Sequence, residues 1–117
     1  MKPTRLCAAM LALSLTVASA AAHSTKKATE PSDGALLKAA PSQIAMQFDM
    51  PLRVTLITLT DQDGTAHDLT RSDDMQPVSD FTATPADLPP GRYTVDWRGL
   101  ADDGHPMQGR FHFEIAE

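Results

Sequence analysis

Residues 88–115 read LPPGRYTVDWRGLADDGHPMQGRFHFEI. The opening Leu88-Pro89-Pro90-Gly91 is a turn, because proline presets the backbone and glycine tolerates the angles that follow. From Arg92 to Leu100 the pattern has a period of two. Tyr93, Val95 and Trp97 face one way, and Thr94, Asp96 and Arg98 the other. Asp102-Asp103-Gly104-His105-Pro106 is a polar loop. Beyond it Arg110 to Ile115 alternates again, with Phe111, Phe113 and Ile115 inward and Arg110, His112 and Glu114 outward. Two long half-buried strands thus flank one short polar loop, and Trp97, inside the apolar stripe, reads as a core residue.

The same signature recurs upstream. In residues 43–49, Ile44, Met46 and Phe48 share one face, which makes Met46 a packing residue. Residues 53–60, RVTLITLT, are β-branched and mostly apolar, as in a central strand. Asp61-Gln62-Asp63-Gly64 is a turn, after which Thr65 to Thr70 returns as a strand. Arg71 to Pro77 is a polar loop and Val78 to Thr84 a further strand. Residues 35–40, ALLKAA, favour a single helical turn that Pro41 ends. About seven short strands at this spacing predict an all-β, immunoglobulin-like Greek-key sandwich or barrel.

The first 22 residues, MKPTRLCAAMLALSLTVASAAA, belong to a different regime. Lys2 and Arg5 precede an apolar run from Leu6 to Val17, then small residues with Ala20 and Ala22 at the −3 and −1 positions. This is the pattern of a secretory signal peptide, and the apolar run is too short for a membrane span. Cys7 lies ahead of most of that run, the wrong place for a lipid-anchor cysteine. Cleavage after Ala22 leaves residues 23–117 as one exported domain. The cut removes Lys2, Arg5 and Cys7, so the formal charge moves from −5 for the whole chain to −7, with no cysteine left. Such a domain holds together through its own core or a bound ligand, not disulfides. Its acidic balance excludes a nucleic-acid binder, which needs a positive footprint.

The same cut makes His23 the chain terminus. A terminal His carries a free α-amine and an imidazole Nδ1 on one residue, and together they close a six-membered chelate on a metal. The amine pKa lies near 8, so a metal displaces its proton at neutral pH. Cleavage after Ala20 would place Ala21-Ala22 in front of His23 and spoil the chelate. Asp103-Gly104-His105 offers a carboxylate and a second imidazole two residues apart, with Gly104 allowing the sharp turn that lets both converge. Three nitrogens and one oxygen in a tetragonal set suit Cu(II) better than zinc. Against this stands the bland reading, in which Asp-Gly is a common turn pair and a loop His is simply solvated.

The run YTVDWRGLADDGHPMQGRFHFEI, Tyr93 to Ile115, resembles the C-terminal signature of the CopC family of periplasmic copper-binding proteins, G-x-Y-x-V-x-W-x(3–4)-S-x-D-G-H-x-x-x-G-x-F-x-F. His23 with Glu30-Pro31-Ser32-Asp33-Gly34-Ala35 resembles the family's H…S-x-P-A-D-G-A opening, and Ala39-Ala40-Pro41 with Ile44, Met46 and Phe48 its A-P-x-x-I-x-L-x-F segment. The resemblance covers essentially the whole of residues 23–117. It implies one Cu(II) ion per chain, held by the His23 amine and imidazole, the Asp103 carboxylate and the His105 imidazole. It also implies a periplasmic carrier or buffer for copper homeostasis and resistance, not an enzyme. The expected partners are the copper ion and an inner-membrane copper transporter or a periplasmic copper enzyme, and the expected state is a monomer.

The sequence departs from the family pattern in four places. The serine before D-G-H is absent, Asp102 adds a rival acid, Lys26 and Lys27 near the terminus would mildly repel a cation, and Met46, Met50, Met75 and Met107 form no M-x-x-M cluster for a Cu(I) site. Two other functions compete. A terminal-His copper centre also serves oxidative polysaccharide-cleaving enzymes, although an Asp ligand would close the open position they need. A plain immunoglobulin-like interaction module would leave the histidines incidental, and His67 and His112 match no motif.

Overall fold

The computed structural model describes residues 26–117, so the predicted leader and His23 lie outside it. Among the described residues there are eight strands: β1 (Lys26–Glu30), β2 (Ala35–Leu37), β3 (Ile44–Asp61), β4 (Ala66–His67), β5 (Leu69–Arg71), β6 (Val78–Pro85), β7 (Gly91–Ala101) and β8 (Pro106–Ile115). The all-β expectation holds.

β3 organises the molecule. Its first half pairs with β6 on one edge and β1 on the other, since Met46 lies opposite both Phe81 and Thr29. Its second half pairs with β7 on one edge and β4 on the other, since Leu59 lies opposite both Val95 and His67. Leu52 is the junction, facing Val78 of β6 and Ala101 of β7. β6 and β7 therefore take opposite edges of β3, which leaves β1 on the β7 edge. All eight strands belong to one curled sheet, of which β1-β3-β6-β5 and β4-β3-β7-β8-β2 form the two layers. A single bent strand serves both layers, the usual way for a strand to turn the corner of a sandwich.

Sequence alternation predicted two strands where β3 is one. The ladder to β6 is interrupted between Gln47 and Leu52, and Pro51 falls in that gap, where its missing N–H costs no ladder bond. A bulge at Thr55 shifts the β7 register, so Val54 meets Gly99 but Leu56 meets Arg98. Two other expectations are corrected. Residues 65–70 split into β4 and β5, which pair with different partners, β3 and β6. The helical turn at 35–40 does not form. Instead Ala35–Leu37 adds in parallel to the end of β8, opposite Phe113 to Ile115. The backbone N–H of Gly34 donates to the His112 carbonyl (2.7 Å), and that of Ala116 to the Leu37 carbonyl (2.8 Å). Pairing with β8 satisfies more backbone groups than an isolated helical turn could.

The core joins the inward faces predicted for residues 43–49, 92–100 and 110–115 to Leu52, Val54, Leu59, Phe81, Ala83 and Leu88, for which no face was predicted. Ile44, Met46, Phe48, Phe81, Tyr93, Val95, Trp97, Phe111, Phe113 and Ile115 are all buried, and Trp97 packs edge-on against Phe48 across the layers at 5.4 Å. Tyr93 stacks on Phe113 and donates its hydroxyl to the Pro89 carbonyl.

One polar knot closes the open side. The Arg71 guanidinium grips Asp73 through two bonds of 2.8 and 2.7 Å, donates to the Val54 carbonyl and lies 5.1 Å above the Phe81 ring. Those bonds from Arg71 hold the Asp73 carboxyl below the usual carboxylate range. A carboxyl that titrates lower in the folded chain stabilises fully above its unfolded value near 4, and that gain fades as pH falls through the folded value. Asp73→Asn is therefore expected to cost roughly 1–3 kcal/mol at neutral pH. The cost should shrink toward pH 3, measured by urea unfolding at both pH values.

Candidate metal site

The loop that joins β7 to β8 is a three-residue hairpin turn. Leu100 and Pro106 form the last strand pair. The Ala101 N–H donates to the His105 carbonyl (3.0 Å), and the Gly104 N–H to the Ala101 carbonyl (2.8 Å). Gly104 has φ +83°, the left-handed position that this turn reserves for glycine. Asp103 and His105 are thereby fixed on either side of Gly104.

The two predicted ligands do meet. Asp103 Oδ2 lies 2.6 Å from His105 Nδ1, and Asp103 Oδ1 accepts the His105 backbone N–H at 3.1 Å. The oxygens that turn to His105 belong to Asp103, so the rival Asp102 does not displace the motif register. The His105 N–H, followed by the imidazole, holds the Asp103 carboxyl below its ordinary value. Both side chains are largely exposed, 75% for His105 and 63% for Asp103. Asp103 Oδ2 occupies Nδ1, and His105 Nε2 makes no hydrogen bond among the described residues.

Among the described residues, no three His, Cys, Asp or Glu side chains converge. The hairpin tip supplies two donors, so further ligands for an ion there must come from solvent or from the chain before Lys26. His67 and His112 stand apart. His67 Nε2 lies 2.9 Å from Asp61 Oδ2, while Asp61 Oδ1 accepts the N–H groups of Asp63 and Thr65. The His67 bond is the main reason the Asp61 carboxyl sits below its usual range. This pair braces the β3–β4 turn. Sequence reading found the Asp61–Gly64 turn but not that it brings His67 back beside Asp61. His112 is outward, as expected, with Nδ1 3.1 Å from Thr94 Oγ1.

A family model described as the CopC domain matches residues 26–116. The chain belongs to the CopC family. Copper resistance protein C of Escherichia coli is 33% identical over 113 residues, a match that covers 83% of this chain and 84% of that protein. The crystal structure of CopC from Methylosinus trichosporium OB3b shares the fold with a TM-score of 0.68 at 23% identity, over 80% of this chain and 94% of that one. PcoC of Escherichia coli, described as a methionine rich copper resistance protein, matches with a TM-score of 0.60 at 25% identity, over 80% of this chain and 99% of its own. The CopC-family signature maps onto the hairpin just described. Its Trp, D-G-H and G-x-F-x-F positions are Trp97, Asp103 to His105 and Gly109 to Phe113.

Of the four methionines after residue 22, Met46 is buried in the core and Met107 packs against it, while Met50 and Met75 are exposed.

Proposed function

We propose that this chain is a periplasmic copper carrier or buffer that holds one Cu(II) ion through the His23 amine and imidazole, Asp103 and His105. The observation that carries the reading is the course of β1. It lies on the same edge of β3 as β7 and begins at Lys26 opposite Phe48, while β7 ends at Ala101 opposite Leu52. Four residues of β3 separate those levels, about 13 Å of extended chain. Three residues lead back from Lys26 to His23, about 10 Å. An extended run of that length would cover most of the distance toward the level where β7 gives way to the Asp103–His105 tip. Membership of the CopC family and the 33% identity to a copper resistance protein support copper as the cargo.

The donor set fits that cargo. Amine, imidazole, carboxylate and imidazole are three nitrogens and one oxygen, favoured by Cu(II) and disposed for a tetragonal plane. Carboxylate in that plane suits storage and hand-over, not redox turnover, so the chain is assigned no catalytic step. Copper released at this exposed tip would pass to an inner-membrane transporter or a periplasmic copper enzyme. The leader that exports the chain is residues 1–22.

The reading is tested by Cu(II) titration of chain beginning at His23, with the terminus verified by mass. Binding should saturate at one ion per chain and raise the melting temperature, because folding brings the tip ligands to the terminal chelate and the folded form binds the ion more tightly than the unfolded chain. Affinity should fall as pH drops from 8 to 5, as the amine and imidazoles take up protons that compete with the metal. Retention of full affinity by His105→Ala would overturn it.

A further inference from the structure

The outer face of the β3-β7-β8 layer is rich in arginine. Four of the five arginines after residue 22 stand on these strands: Arg53, Arg92, Arg98 and Arg110. Arg110 is bound to Asp96 at 2.6 Å. Arg53 and Arg98 make no ion pair among the described residues, although the domain carries an excess of carboxylates.

Register puts these two in a checkerboard with leucine. Arg53 lies opposite Leu100 and Arg98 opposite Leu56, all four side chains exposed on one face. Leu56 is 49% and Leu100 41% exposed. The Thr55 bulge turns Leu56 outward beside Arg98. Shallow grooves run on either side of Arg98 and Gln108, one floored by Gly109 and the other edged by Pro106. Two unpaired like charges placed diagonally repel each other, and an acidic chain has carboxylates with which to neutralise them. Arginine beside exposed apolar side chains is the composition of an interface centre, where guanidinium groups take carboxylates in two-pronged bonds.

We propose that this face docks an acidic, extended segment of a partner protein, its carboxylates on Arg53 and Arg98 and its apolar side chains against Leu56 and Leu100. The face adjoins the Asp103–His105 tip through the Leu100–Pro106 pair, so a partner seated there lies beside the hairpin loop. The inference rests on the arginines and leucines alone and stands whether or not copper binds the tip.

The test is a ¹⁵N NMR titration of metal-free chain 23–117 with the probe peptide acetyl-Glu-Glu-Leu-Glu-Glu-Leu-amide. Saturable shifts confined to the amides around Arg53, Leu56, Arg98, Leu100 and Gln108 are expected. Arg98→Glu and Arg53→Glu should each weaken binding about tenfold. Lys38→Glu, the same charge change at an exposed position after β2, should leave it unaltered. All three sites are exposed, and the dispersion of each variant's spectrum reports its fold directly. A lysine version of the peptide should not bind. Shifts scattered over the surface, or unchanged affinity in Arg98→Glu, would overturn the proposal. So would tighter binding to phosphatidylglycerol vesicles than to the peptide, or movement of the same cross-peaks with protein concentration alone, which would assign the face to a membrane or to a second copy.

Discussion

Chain that begins at His23 with a free α-amine is expected to bind Cu(II) at least about a hundredfold more tightly than the same chain acetylated on that amine. Acetylation removes no side chain. What it removes is the α-amine, converted to an amide nitrogen that holds its proton at neutral pH and is no donor. The chelate ring then opens, and His23 is left with one nitrogen instead of two. Competition against a chelator of known affinity, with both termini checked by mass, measures the ratio. Equal affinities would eliminate the terminal chelate. The tip should show a graded response. His105→Ala deletes a ligand outright. Asp103→Asn keeps an oxygen that accepts the His105 N–H but replaces a charged carboxylate ligand with a neutral amide, so a loss nearer tenfold is expected. A larger loss for Asp103→Asn than for His105→Ala would make the carboxylate the dominant ligand.

How much of this was legible in the chain differs from element to element. The β7–β8 hairpin was, because Tyr93, Val95, Trp97, Phe111 and Phe113 keep a strict period of two and Gly104 marks the turn. The Asp103–His105 pair was in part, because Gly104 between them permits the sharp turn that lets both side chains converge. β1 was not: Lys26-Lys27-Ala28-Thr29-Glu30 has no apolar alternation, and it becomes a strand by filling the edge of β3 that β7 leaves open. β2 was misread for a similar reason. Ala35, Leu36 and Leu37 are good helix formers, but the end of β8 offered unpaired backbone groups, and tertiary pairing overrode local preference. The continuity of β3 was hidden by Pro51, which punctuates the sequence without breaking the strand. The failures at β1 and β2 concern pairing partners distant in sequence, which local pattern does not encode.

The buried end of the same hairpin carries the second large effect. Trp97 is nearly inaccessible and contacts Phe48 across the layers. Opposite it in the β7–β8 ladder stands Gly109. A Cβ added there would fall 2.6 Å from Trp97 Nε1 and 2.7 Å from the adjacent ring carbon, closer than real contacts allow. Gly109 is thus the space into which the indole edge fits, and the indole N–H buried against it has no hydrogen-bond partner among the described residues. Trp97→Ala is expected to cost roughly 3–5 kcal/mol through the cavity it leaves. Gly109→Ala should cost roughly 1–3 kcal/mol through overpacking. The double variant decides whether the two effects share this contact. With the indole gone, the new methyl meets no ring and fills part of the void, so the pair should be destabilised by less than the sum of the single changes. Urea unfolding of the four proteins completes the cycle. Strict additivity would mean that Gly109 is required for some reason other than Trp97. In that case the G-x-F spacing of β8 would reflect the backbone alone, instead of the tryptophan it faces.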